Sequence, residues 1–337
     1  MIACLRRVGV AVTEHHVSVW EGRRDGWRAG AGAGLRLAAA EARLFARPSP
    51  GDADALIVGY PGHFDLPAAK RAARGRPIVL NPLVSLADTL VGDRGRFRPG
   101  SPASRALAFV DRRAFAAADL IVADTDAHAR FFATLTDTPV ETCFVGAEER
   151  VFAPGPLVES EPFTVLFVGK LIPLQGVGTI LAAARIAGEI RFRIVGSGQL
   201  DHLLRDRPPN VEHVTWIEYD QLPAELHRAG CALGIFGTSP KAARVIPNKA
   251  FQALACATPL VTADTVAARE LLVDAESALL VPPGEPEALA AAVRRLAADP
   301  ALRRSLSAGG RAGYERHASE AVLGARWRAL LERLLEI

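Results

Sequence analysis

The sequence predicts an α/β protein with two parallel-sheet domains, and three observations carry that reading. Short runs rich in Val, Ile, Leu and Phe alternate with amphipathic helical patterns along the chain, the pattern of parallel strands covered on both faces by helices. A Pro-, Gly- and Glu-rich stretch, Ala153–Pro162, breaks the alternation near the middle and reads as an interdomain linker. The 337 residues exceed what one core of ordinary size supports.

The expected strands are Ala55–Gly59, Pro77–Asn81, Asp119–Ala123, Val140–Val145, Phe163–Gly169, Ile190–Gly196, Val211–Trp216, Cys231–Gly237 and Pro259–Ala263. Ser101 followed by Pro102 marks a helix start, and Leu107, Val110, Ala114 and Ala118 recur behind it at helical spacing. After Ala318 a last helix carries Leu323, Trp327, Leu330, Leu331 and Leu334 on one face. The expected units are residues 1–155, 161–317 and a C-terminal helix at 318–337 that crosses back to the first domain.

Composition excludes several classes. Cys4, Cys143, Cys231 and Cys256 are scattered, without C-x-x-C spacing or a His partner, which argues against a disulfide framework or a zinc site. Cys143 and Cys231 lie in apolar runs and read as small hydrophobes. A net charge of +3 does not suggest a nucleic-acid binder. No apolar run approaches the ~20 residues of a membrane helix, and the first residues do not read as a signal peptide. A cytoplasmic enzyme is the simple reading, with peripheral contact at the inner membrane face as an addition to it.

Ligands of open parallel sheets bind at the carboxyl ends of the strands, and three such ends stand out. Phe163–Gly169 is followed by Lys170, Gln175 and Gly176, then a helix, so backbone N–H groups, a helix N-terminus and a cation converge as a diphosphate requires. Each part alone also fits a plain strand end. Gly196 and Gly198 form a second turn, which lacks the third glycine and distant acid of a dinucleotide site. Cys231–Gly237 leads into a polar loop with Lys241 and Arg244, and Asn248 and Lys249 stand at the next helix start.

Residues 163–317 resemble the donor domain of the retaining glycosyltransferases of family 4, which have the GT-B fold. The resemblance rests on V-G-K-L-I-P-L-Q-G, R-I-V-G-S-G-Q-L, L-G-I-F-G, I-P-N-K-A-F-Q-A-L-A-C-A-T-P-L-V-T-A-D-T and A-R-E-L-L-V-D-A-E-S-A-L-L-V-P-P-G-E-P-E-A-L-A, in the family's order. It implies a UDP- or GDP-linked sugar donor, no cofactor and no metal, and a glycan, lipid-linked or small-molecule acceptor. It implies that Lys170 replaces a basic diphosphate ligand and Gln175 a lysine. Arg244 and Gln252 replace two glutamates, which contact the sugar and the ribose. Asn248 and Lys249 fall at the diphosphate, and Gly169, Gly196 and Gly237 border it. The lost cation is expected to be restored by Lys249, and Gln252 keeps a hydrogen bond to ribose without charge. Trp216, Ile217 and Tyr219 fall beside the nucleobase in this fold, although Trp216 reads rather as core.

The first half matches less closely. His63 follows a glycine at a strand end and is a candidate catalytic residue beside Lys170 and Lys249. Ser85 reads as a helix cap and Asp88 as a solvated side chain, with an acceptor contact as the alternative. Asp124–Thr125–Asp126 has the form of a D-x-D metal motif, but Thr125 reads as a helix cap. The family's opening strand and Gly-rich loop have no clear counterpart: Val8–Val12 leads to Thr13–His16, and glycines follow only at Gly30, Gly32 and Gly34. Arg94, Arg96, Arg98, Arg105, Arg112 and Arg113 form a cluster that reads as a solvated face diluted by Asp93 and Asp111, with an anionic acceptor or a membrane surface as the alternative. The expected activity is transfer of a sugar with retention of configuration. An epimerase of nucleotide-linked sugars, or a binding relative that kept the fold, is the alternative.

Overall fold

The computed structural model describes residues 1–19, 31–46, 51–155 and 162–336. The middle of the predicted linker, residues 156–161, lies outside them, as do Gly30 and Ile337. The chain opens with α1 (Ile2–Arg7) and α2 (Ala31–Ala46). Among the described residues no strand precedes β1 (Leu56–Val58). Gly32 and Gly34 lie within α2 rather than in a loop.

β1 is followed by α3 (Leu66–Ala73), β2 (Ile78–Leu80), α4 (Pro102–Phe115), β3 (Leu120–Ala123), α5 (Asp126–Ala133) and β4 (Val140–Thr142). The strands form a parallel sheet in the order β1-β2-β3-β4. Each crossover adds a strand on the same side of the last, so right-handed connections put α3, α4 and α5 on one face. There Leu66, Phe115 and Phe132 pack against Val58, Leu80 and Ile121.

The second half runs β5 (Thr164–Val168), α6 (Val177–Ile186), β6 (Arg191–Val195), β7 (Val211–Val214), α7 (Leu222–Arg228), β8 (Cys231–Leu233), α8 (Asn248–Ala255), β9 (Leu260–Ala263), β10 (Leu279–Val281), α9 (Pro286–Ala298), α10 (Pro300–His317) and α11 (Glu320–Leu335). Its parallel sheet has the order β10-β9-β8-β5-β6-β7, so the winding reverses between β5 and β8. That is the topological switch point of a doubly wound sheet. Helices α6 and α9 bury Ile180 and Val293 on one face, against Phe167 and Phe192. α8 and α10 bury Phe251 and Tyr314 on the other, with Leu166 and Leu260.

The last helix crosses back, as expected. The second face of the first sheet is covered by α1 and α11, with Cys4, Leu5, Leu323, Trp327 and Leu330 packed on Val79, Leu120, Val122 and Cys143. Gly324 lets the two helices meet, since a Cβ there would collide with the Cys4 carbonyl. Trp327 is 3% exposed, and truncating such a side chain costs ~3–5 kcal/mol.

All nine predicted strands form, each trimmed at one or both ends. β10 is the addition: Leu279–Val281 is short and runs straight into Pro282, which hides it among loop residues. Ser101 accepts the amide N–H of Ser104 and Pro102 opens α4, as predicted. The four cysteines are buried and unbonded to one another. No helix among the described residues is long and apolar enough to cross a membrane.

Candidate functional site

The carboxyl ends of β5, β6 and β8 meet at the switch point. Gly169 and Gly196, which end β5 and β6, touch through their backbones: a Cβ on Gly196 would collide with the Gly169 carbonyl. Gly169 donates its N–H to the Val195 carbonyl at 2.9 Å, and Leu171 donates to that of Ser197 at 3.1 Å. The single 3-10 turn Pro173–Gln175 then docks on the end of β8. Phe236 donates to the Gln175 carbonyl and Gly237 to that of Leu174, both at 3.2 Å. A Cβ on Gly237 would overlap the Leu174 carbonyl, so only glycine permits this approach. Gly176 (φ 71°) turns the chain into α6.

Lys249 rises into this junction from the first turn of α8. Its ammonium donates to the Gln175 amide oxygen and lies 3.7 Å from the centre of the Phe167 ring. A Cβ on Gly169 would fall 2.8 Å from Nζ, so the ammonium sits directly beneath that glycine. Burial holds its pKa well below the ordinary lysine value. Lys170 follows Gly169 in the chain and is exposed. Lys249 is thus packed beneath Gly169, and the exposed Lys170 is the next residue in the chain. Asn248 is exposed at the start of α8. One turn on, Gln252 hydrogen-bonds Tyr219. A small cavity beside them is lined by Leu166, Val168, Leu222, Ala232, Lys249 and Gln252.

Trp216 departs from the core reading: it is 49% exposed, and its indole N–H donates to Glu218 at 3.2 Å. Tyr219 is 47% exposed and meets Phe152 edge-on. Ile217 packs against the α8 side of the sheet.

Arg244 departs from the donor-pocket expectation. Its guanidinium reaches across to the first domain, where Nη2 lies 2.7 Å from Asp88 Oδ1 and the group stacks 3.8 Å from the centre of the Phe131 ring. Asp88 is thus paired rather than solvated. Lys241, in the same loop, is buried and donates to Thr89 Oγ1, and Ser239 donates to Asp93 at 3.2 Å. Burial lowers the Lys241 pKa and raises that of Asp93. Both carboxylates come from the π-helical turn Asp88–Asp93. Glu270 extends the seam by accepting the N–H groups of Asp126 and Ala127 at 2.7 and 2.8 Å, at the start of α5. Thr125 caps that helix, as expected, and donates to the Arg244 carbonyl. Asp124 is held by His128.

His63 is buried within the first domain. Its ring is wholly buried, with Nε2 3.1 Å from Asp111 Oδ1, so as folded it presents no surface to a substrate. Burial pushes the Asp111 carboxyl up, but hydrogen bonds from His63, Ser85, Ala87 and Leu86 outweigh that and leave its pKa below the ordinary value. Ser85 also accepts the Asp88 N–H at 3.0 Å, the capping role read from the sequence. The seam residues Lys241, Ser239 and Glu270 carried no sequence signal as partners of the first domain, because their contacts span more than a hundred residues.

Residues 162–299 match the family model described as glycosyl transferases group 1. A phosphatidyl-myo-inositol mannosyltransferase of Mycolicibacterium smegmatis is 29% identical over 57% of this chain and 50% of its own length. A D-inositol 3-phosphate glycosyltransferase of Kineococcus radiotolerans is 29% identical over 70% of this chain and 60% of its own. The chain thus spans only about half the length of such curated relatives. Among solved structures, a sucrose-phosphate synthase of Thermosynechococcus elongatus superposes with a TM-score of 0.71 at 17% identity, over 90% of this chain and 79% of that one. Anabaena HepE in complex with UDP-glucose gives 0.64 at 18%, over 83% and 79%. These likenesses show the two-domain GT-B fold.

Proposed function

We propose, from the match of residues 162–299 to the glycosyl transferases group 1 family model, that the protein transfers a sugar from a nucleoside-diphosphate donor to an acceptor hydroxyl. The carrying observation is the Lys249 ammonium beneath Gly169 at the switch point, with the exposed Lys170 next in the chain after that glycine. In this reading Lys170, Lys249 and the N-termini of α6 and α8 receive the leaving diphosphate. The donor is read as a UDP- or GDP-linked sugar; HepE, which has the same fold, was solved with UDP-glucose.

In this reading the bond between the anomeric carbon and the diphosphate oxygen breaks, and its electron pair leaves with the diphosphate. Lys170 and Lys249 stabilise that charge as it develops. The acceptor oxygen bonds the anomeric carbon, and its proton passes to the leaving phosphate. Configuration is retained. Gln252 positions the ribose and the exposed Trp216 borders the base. The acceptor enters from the first domain, across the seam held by Asp88 and Arg244.

The test is nucleoside diphosphate release from UDP- and GDP-sugars, with and without sugar, inositol and lipid-linked acceptors. Acceptor-dependent release is expected. Nucleotide binding without acceptor-dependent release would identify a binding relative instead.

A further inference from the structure

The solvent-facing stripe of α4 is built from arginines, a phenylalanine and small residues. Its exposed positions are Pro102, Arg105, Ala106, Phe109, Arg112 and Arg113, the spacing of one helical face. Phe109 is 58% exposed and sits one turn from arginines on both sides. In the loop leading to α4, Arg96, Phe97 and Arg98 are exposed as well.

The carboxylates that dilute this cluster in the sequence do not do so in the fold. Asp111, the single acidic residue between positions 94 and 118, is buried against His63 and Ser85. Asp93 is buried at the domain seam. Among the described residues, none of the side chains of Arg96, Arg98, Arg105, Arg112 and Arg113 has an ion-pair or hydrogen-bond partner. Among the described residues these five arginines are unpaired, and Phe97 and Phe109 stand among them.

We propose that this face docks on an anionic lipid bilayer. Arginines attract the headgroup phosphates, and Phe97 and Phe109 enter the boundary between headgroups and acyl chains. A nucleic acid fits less well: its phosphates would engage the arginines but leave Phe109, on a convex helix, in water. The position fits a membrane-facing role. The loop begins at Arg94, whose carbonyl accepts a hydrogen bond from Gln199 of the second domain at 3.1 Å. A docked bilayer would therefore lie beside the edge of the interdomain cleft.

The test is co-sedimentation of the full chain with vesicles of phosphatidylcholine alone or mixed with phosphatidylglycerol. Binding should require phosphatidylglycerol and weaken as salt rises. At about five-fold per arginine, Arg105→Gln with Arg112→Gln should weaken it roughly 25-fold. Phe109→Ala should weaken binding to the mixed vesicles at high salt, where charge is screened. All these positions are exposed, so thermal unfolding should be unchanged. Equal binding to both vesicles, unchanged binding in the arginine variant, or tighter binding to a duplex or single-stranded oligonucleotide than to the mixed vesicles would overturn the proposal.

Discussion

Arg244 Nη2 and Asp88 Oδ1 meet at 2.7 Å across the two domains, with the guanidinium lying on the Phe131 ring. The pair forms at the loop where the family resemblance places a carboxylate for the sugar. Here the carboxylate belongs to the opposite domain and the loop supplies the cation.

The pair is mostly buried, with side-chain exposures of 18% and 13%, so losing one partner leaves a poorly solvated charge. Asp88→Asn and Arg244→Gln should each destabilise the protein. The double variant should show a coupling of about 1 kcal/mol in a thermal or urea double-mutant cycle. Additive single effects would mean that the contact carries no energy.

Lys249 titrates well below an ordinary lysine because burial disfavours its charge. Between its folded and unfolded pKa values the unfolded chain binds more protons, so this group makes stability rise with pH over that interval. A diphosphate bound beside it would raise its pKa again. Calorimetry of UDP binding at alkaline pH, in buffers of differing ionisation enthalpy, should show proton uptake. Lys249→Met should abolish it.

Glu41 of α2 lies against Asp65, the residue before α3. Burial, then the hydrogen bond and charge of Asp65, raise its pKa to about 8. The folded state therefore holds a proton that the unfolded state releases near pH 4.5. Stability should fall as pH rises from there to about 8, and Glu41→Gln should flatten that part of a melting-temperature profile.

Glu270 caps the start of α5 from the other domain with two short hydrogen bonds. Glu270→Ala should cost about 1–2 kcal/mol. Limited proteolysis should show a looser seam, since the lost contacts join the domains.

Trp216 is half exposed beside the proposed base site. Nucleotide should quench tryptophan fluorescence in the unmodified protein and not in Trp216→Phe. Trp216→Phe should melt normally, because little packing is lost.

The strands were legible because both faces of each sheet are buried, which makes each strand a continuous apolar run. Ser101 and Thr125 were legible as caps because capping is local chemistry. Gly169, Lys249 and Gln175 were legible as a group because each follows a strand that the doubly wound order brings to the switch point. The pairing of Arg244 was not legible because its partner, Asp88, lies 156 positions away and local sequence holds no trace of it. His63 looked catalytic from its place at a strand end, yet Asp111, from the middle of α4, takes it into the core. Trp216 looked like core from its apolar neighbours, but the strand ends two residues before it.

The claim that Lys170 and Lys249 share one diphosphate site is tested most directly by calorimetric titration of UDP into the unmodified protein, Lys170→Ala and Lys249→Ala. The account predicts measurable binding to the first and at least about ten-fold weaker binding to each variant, roughly 1.4 kcal/mol or more. Unchanged affinity in both variants would contradict it.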